Sequence, residues 1–417
     1  MNVHLVGRPV VGHDAAMLGR LRRGEDTALA TVERQLELLR RAHAVTDAVV
    51  AFEDERALAD AAALDRAFAR RGPVGPLHGL PVTVKDWIDV EGFPCAGESG
   101  DRERRPGVDA TVVRRLRAAG AVVVAKTRVW GRVAHPRDPA RTVGGSSSGE
   151  AALVAAGASV LGIGSDSGGS IRLPAAWAGV CGLRPTAGRV PTTGHFPRVG
   201  PRSDGRTQIG PLAASVDGLE LALSVMAGPD GRDAGVAPVP LPPSREVSLR
   251  GLRVAAAFGE GAWQPSDRVA AAVERATGVL GAAGAQRVPW EFGWLAPAWD
   301  ITHRYWARAG GRADLTGADV MRELEDWDRF TYRYLEATAD IDLVVAPATA
   351  GPAPPHGHIG ADAFAFLMPA SLVGTPALAL PAGDEDGLPI SVQLVGRPWA
   401  EPVLLAAGRA IERAGPG

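Results

Sequence analysis

Lysine is almost missing from this chain: among its 45 basic Lys and Arg residues only Lys85 and Lys126 are lysines. Cysteine is as scarce. Cys95 and Cys181 are too few for a disulfide scaffold and form no CxxC pair for metal or redox work. Neither sign of charge dominates. The formal net charge is −2 with a pI near 6.5, which leaves no electrostatic footprint for nucleic acid or an anionic membrane surface. No apolar run reaches the length of a membrane span, the longest being residues 151–163, rich in Ala and Gly. Residues 1–20 have no apolar signal-peptide core, being interrupted at Asp14 and Arg20. These absences predict a cytoplasmic protein that uses neither membrane nor nucleic acid.

What is present is a long, apolar-rich chain of 417 residues, 46% hydrophobic, able to bury a large core. Helical spacing at Leu18, Leu21, Leu29, Val32, Leu36 and Leu39, followed by an Ala-rich run, predicts helix across residues 14–71. Gly72-Pro73 and Gly75-Pro76 close that block. A short strand over 80–84 then ends at Lys85-Asp86, and helix 110–119 is followed by strand 121–125. Helix 151–157, strand 160–163, a Gly/Ser loop over 164–169 and a segment 171–180 come next. Past a proline cluster at 238–243 we expect strand 253–257 and a helix over 265–283 capped near Ser266 or Asp267. Strand 341–345, strands from Ser371 ending at 390–395, and helix 401–414 complete the pattern. Six of the ten tryptophans fall between Trp263 and Trp327. Alternating helices and short Val/Ile/Leu runs predict one α/β domain around a mixed sheet. We divide it into an N-terminal helical segment (1–72), a catalytic core (73–237), a variable aromatic-rich helical region over the substrate pocket (238–345) and C-terminal strands and helix completing the sheet (346–417).

Two Gly/Ser loops carry the chemistry, Gly144-Gly-Ser-Ser-Ser-Gly149 and Asp166-Ser-Gly-Gly-Ser170. The second follows a strand and opens a helix. Its backbone N–H groups, those of Ser167, Gly168, Gly169 and Ser170, therefore converge at the positive end of a helix dipole. Such a nest suits an oxyanion, where losing one donor typically costs about 2.7–4 kcal/mol of barrier. A hydroxyl nucleophile needs a base. None of the nine histidines sits in a recognisable triad motif, and no HExxH occurs. Lysine can serve instead, because it deprotonates when desolvated whereas arginine cannot. Lys85 stands at a strand end, with a plain ion pair to Asp86 as the simpler alternative. Gly120–Thr127 resembles a phosphate-binding loop, but Ala125 precedes the lysine and the stretch reads as strand, so nucleotide binding is set aside. Gly162-x-Gly164 likewise lacks the third glycine of a dinucleotide fingerprint. Lys126 reads as a structural residue bonding backbone near the site.

Taken together, these segments resemble the amidase signature family. Gly75-Pro-Leu-His-Gly-Leu-Pro-Val-Thr-Val-Lys85-Asp86 is similar to its "GPLHGIPVxVKD" stretch, and residues 144–149 to its "GGSSGG" loop with Ser148 for a glycine. Gly164-Ser-Asp166-Ser-Gly-Gly-Ser170-Ile-Arg172-Leu-Pro174-Ala-Ala is similar to "GxDxGGSIRxPA". Cys181–Arg189, Gly374-Thr-Pro-Ala and Gly387–Arg397 extend the likeness from about residue 18 to the end. The resemblance implies the amidase-signature fold, a central mixed twisted β-sheet flanked by helices on both faces. It also implies a Ser–cis-Ser–Lys triad: Ser170 the acylated nucleophile, Ser146 the bridging serine in a cis peptide, Lys85 the base. Asp166, Arg172 and Ser147 would support the loop, Asp166 and Arg172 as an ion pair.

For Lys85 to act near neutrality its pKa must fall from about 10.4 to near 7, a size burial can produce. The implied activity is hydrolysis of a small-molecule carboxamide, releasing ammonia or an amine, with no cofactor and no metal. A glutaminase-type A subunit of a tRNA-dependent amidotransferase, a hydrolase of carbamate, ureide or oligoamide bonds, and a non-catalytic binding protein of the same fold are the rivals. The partner expected is a small-molecule amide, and a homodimer is left open. One departure stands out. Where the family has "KTNxxEFA" and a longer loop, this chain has Arg128, Trp130, Gly131 and a segment about ten residues shorter, so selectivity inherited through residues 128–143 does not carry over.

Overall fold

The structure is a computed structural model describing residues 13–97, 104–200, 204–309 and 315–415. It opens with helices α1 (His13–Arg23) and α2 (Ala28–Thr46), strand β1 (Val49–Phe52) and helix α3 (Asp54–Arg71). The expected unbroken helical run over 14–71 is thus corrected by a strand. Asp47, in the left-handed region at φ 53°, ends α2, and Val49–Phe52 pairs antiparallel with a neighbouring strand. No glycine or proline marks that turn, so local spacing carries straight through it.

The core follows as β2 (Pro81–Lys85), α4 (Thr111–Ala118), β3 (Val122–Thr127), a small hairpin β4 (Ala134–His135) and β5 (Asp138–Thr142), α5 (Ser148–Ala155), β6 (Leu161–Asp166), α6 (Arg172–Ala178), β7 (Cys181–Arg184), β8 (Gln208–Ala213) and α7 (Val216–Met226). Next come β9 (Arg253–Ala256), α8 (Asp267–Ala282), β10 (Gln286–Val288), α9 (Leu295–Ala309), α10 (Gly317–Ala337) and β11 (Leu343–Pro347). The chain closes with α11 (Met368–Val373), β12 (Ala377–Glu385), β13 (Leu388–Gly396) and α12 (Glu401–Ala414). Helix starts obey local chemistry. Thr27, Ser215, Ser266 and Thr316 each accept a backbone N–H at the N-cap of α2, α7, α8 and α10, a contact typically contributing about 1 kcal/mol.

Eleven strands form one mixed sheet in the order β1-β3-β2-β6-β8-β7-β12-β13-β11-β9-β10. β3, β2 and β6 run parallel, and β8, β7, β12 and β13 continue antiparallel. Period-two alternation explains two hydrophobic layers. Val123 joins the cluster containing α4, α7, α8 and α12, while Val122 and Val124 join that containing α2, α3 and α5. Because both faces are covered, β2, β3 and β6 are buried along their whole length. A third, aromatic cluster packs α9, α10 and α11 against α6 through Trp294, Phe330, Tyr334 and Phe366. Among the described residues no helix is long and apolar enough to cross a membrane.

Candidate active site

The parallel strands β2 and β6 deliver their C-terminal ends side by side, the region where open α/β sheets hold their ligands. Lys85 is the last residue of β2 and is fully buried. Its Nζ lies 2.6 Å from Ser146 Oγ, 2.9 Å from Ser165 Oγ and 3.3 Å from Ser165 O, and 4.3 Å from the centre of the Trp87 ring. These contacts set the amine against two hydroxyls, partners that the ion pair with Asp86 weighed from the sequence does not include.

Ser146 stands two residues before α5, and the Gly145–Ser146 peptide is cis. Its turn is held by Ser148 Oγ donating to Gly144 O at 2.7 Å. Ser147 N–H donates to Ser170 O at 3.0 Å, which ties the backbone of the first loop to that of the second. Ser147 Oγ also accepts from Ser165 N–H at 3.3 Å. Lys85, Ser146 and Ser170 are therefore drawn into one neighbourhood by direct contact at the first step and by main-chain bonding at the second.

The loop bearing Ser170 is anchored on Asp166. That buried carboxylate accepts from the N–H groups of Gly169, Ile171 and Arg172 at 2.8, 3.2 and 3.3 Å. It also pairs with Arg172 Nε at 3.0 Å and faces Arg184 at 3.8 Å. Burial alone would push the Asp166 carboxyl up. The Arg172 charge and hydrogen bond outweigh it and hold the group at about 2. One expectation changes as a result. The Gly169 N–H is committed to Asp166, so of the four amides expected to cradle an oxyanion this one is already bonded. Gly169 itself sits at φ 129°, where an added Cβ would lie 2.6 Å from Leu367 Cδ1, so glycine is required there for the turn.

Two ionisable groups lie beneath the site. Lys126, also fully buried, donates to Ile88 O and, at 3.3 Å, to Asp86 O, the backbone role its sequence context predicts. Burial lowers its pKa. Glu150, on α5, receives the hydroxyls of Thr83 and Thr127, the latter at 2.7 Å, and burial pushes its carboxyl up to about 7.

Sequence reasoning missed Glu150, and also Ser165 and His195. His195 Nε2 is 3.0 Å from Ser165 Oγ and its Nδ1 is 2.8 Å from Pro197 O. Ser165 stands in plain view inside a motif. His195 carries no such signal, because only folding brings it to β6. The tryptophans of the variable region divide: Trp294 is core, whereas Trp306 Cζ2 would be 3.0 Å from a Cβ on Gly168. Trp306 packs edge-on against Phe364 at 5.7 Å, and Phe364 meets Trp130 of the shortened segment at 6.3 Å.

Fold and site define the class first, an α/β protein whose mixed sheet brings adjacent Gly/Ser loops to a buried lysine. The chain belongs to the amidase signature family: the Amidase family model matches residues 30–331 and 316–405. It is 34% identical to AtzE of the 1-carboxybiuret hydrolase of Pseudomonas sp. (strain ADP), covering 94% of this chain and 96% of that protein. It is 33% identical to the A subunit of the glutamyl-tRNA(Gln) amidotransferase of Koribacter versatilis (strain Ellin345), over 93% of this chain and 95% of the relative. A solved structure described as a vestigial protein complex revealing the evolutionary origins of an s-triazine catabolic enzyme superposes with a TM-score of 0.86. It shares 30% identity and covers 97% of this chain and 99% of its own.

Proposed function

We propose that this chain hydrolyses the C–N bond of a small carboxamide through a Ser170 acyl-enzyme. The observation that carries this reading is the buried Lys85 Nζ at 2.6 Å from Ser146 Oγ. A neutral Lys85 draws the Ser146 proton, and Ser146 takes the Ser170 proton as Ser170 Oγ adds to the amide carbonyl. The amides of Ser167, Gly168 and Ser170 receive the developing oxyanion. The protons return to the leaving nitrogen as the C–N bond breaks, releasing ammonia or an amine. Water then cleaves the acyl-enzyme to the carboxylate and restores Ser170.

The test is covalent labelling. A fluorophosphonate should form one adduct, mapped by peptide mass spectrometry to Ser170 and absent in Ser170→Ala. An adduct elsewhere refutes the assignment. The purified chain alone should hydrolyse members of a panel of aliphatic, aromatic and dicarboxylic amides. Activity appearing only with added partner proteins would favour the amidotransferase alternative.

A second reading is favoured by Arg206: the substrate carries a carboxylate. Arg206 is fully buried, with Nε donating to Ser167 O at 3.2 Å and Nη2 to Thr302 Oγ1 at 3.2 Å. Its Nη1 has no acceptor among the described residues, while its guanidinium lies 4.5 Å from the centre of the Tyr305 ring. A buried guanidinium N–H left without an acceptor beside the nucleophile loop is costly unless a further group compensates it, and the AtzE relative is named for a carboxylated substrate. Arg206→Met should raise KM for a carboxylated amide at least about tenfold and leave a neutral amide nearly unchanged. Equal effects on both would dismiss this reading.

A further inference from the structure

His195 is buried and outside the proposed proton path, yet it is bonded to the residue that bonds the base. The direction of each bond can be read from its partners. Pro197 O can only accept, so His195 Nδ1, 2.8 Å away, carries a proton and donates. The ring is neutral near neutrality: burial holds its pKa down at about 4, against the bond to Pro197, which raises it. A neutral ring protonated on Nδ1 has a bare Nε2, and Ser165 Oγ, 3.0 Å away, must then donate to it. With its only proton spent, Ser165 Oγ offers Lys85 lone pairs alone, and at 2.9 Å it accepts from Nζ.

We propose that His195 is a positioning residue that draws off the Ser165 hydroxyl proton, so that the Lys85 amine donates toward Ser165 and keeps its lone pair for Ser146. The inference rests on the proposed role of Lys85 as base. A neutral amine has two N–H groups and one lone pair. Ser165 Oγ and Ser165 O, at 2.9 and 3.3 Å, are acceptors for N–H groups of the amine, and Ser146 Oγ at 2.6 Å is within reach of its lone pair. Were the Ser165 proton free, its hydroxyl could turn and donate into the lone pair that must accept from Ser146. The base would then be quenched by its own neighbour.

The experiment measures the second-order rate of fluorophosphonate labelling between pH 6 and 10, with thermal unfolding as a check on folding. His195→Leu should label about tenfold more slowly, the worth of one hydrogen bond. Its acid limb should move to lower pH, because a Ser165 hydroxyl donating to the free amine favours that form. His195→Gln, whose amide oxygen can accept from Ser165, should stay within about threefold of wild type. Adding Ser165→Ala to His195→Leu removes the misdirected donor and should restore rate above His195→Leu alone. A merely structural histidine would leave the limb in place and make the double variant slower than either single one, and that result overturns the proposal. Should His195→Leu fail to fold, a His195→Gln rate far below wild type overturns it equally. Unchanged labelling in Ser170→Ala would instead condemn the serine assignment and not the role of His195.

Discussion

The two lysines of this chain occupy nearly equivalent places and face opposite chemistry. Lys85 and Lys126 lie near the ends of the parallel neighbours β2 and β3, and both are fully buried. Lys126 reaches the carbonyls of Ile88 and Asp86, which accept and never donate. Its proton has nowhere to go, and the residue works as a brace across the segment after β2. Lys85 reaches the hydroxyl of Ser146, which can do both, beside Ser165 Oγ, whose proton goes to His195. Burial makes Lys126 easier to deprotonate, but only an amine facing a hydroxyl can exchange a proton with it. The partner's chemistry, more than the lysine's own environment, separates a base from a strut.

Substitution at each position should sharpen that contrast. Lys85→Met is expected to slow labelling of Ser170 by roughly 10⁴-fold with the fold retained, and Lys85→Arg should be as slow, because arginine does not deprotonate. A Lys85→Arg protein that labels at near wild-type rate would erase the distinction. Lys126→Met should act the other way. It strands two buried carbonyls and is expected to lower unfolding free energy by about 3–4 kcal/mol in urea titrations, while labelling per folded molecule changes little. Large loss of labelling without loss of stability would move Lys126 into the proton path.

Glu150 gives a smaller, pH-dependent effect. Its folded-state pKa, raised by burial to about 7 from 4.5, means its stability contribution is complete below about pH 4.5 and is lost as pH rises through 7. Glu150→Gln should therefore match wild type near pH 4 and exceed it near pH 8 by at most about 3 kcal/mol. Parallel curves across that range would mean the carboxylate keeps its charge at no cost.

Much of this was legible in the sequence because it is written in local chemistry. Strand ends at Lys85, the Asp166–Arg172 pair, the Ser266 cap and the final helix Glu401–Ala414 all follow from residues close in the chain. What escaped depends on contacts between distant segments. β1 is a four-residue strand whose pairing with β3 decides a stretch that local spacing reads as helix. The hairpin β4–β5 lies in the segment where the family motif departs. His195 looks like any loop histidine until β6 is laid beside it, and Glu150 looks like a surface glutamate until α5, buried at every position, covers β2 and β3. The Asp166 carboxylate taking the Gly169 amide was equally invisible, since a Gly/Ser loop does not announce which of its N–H groups are already spoken for.

With only two lysines in the chain, the protonation of the base can be watched directly. Protein labelled with 13C at the lysine ε-carbon gives two signals, and Lys85→Met tells which belongs to Lys85. At pH 8 that signal should have the chemical shift of a free amine and should return to the ammonium position on acidification. A Lys85 signal that stays at the ammonium position up to pH 10 would contradict the proposed chemistry at its root.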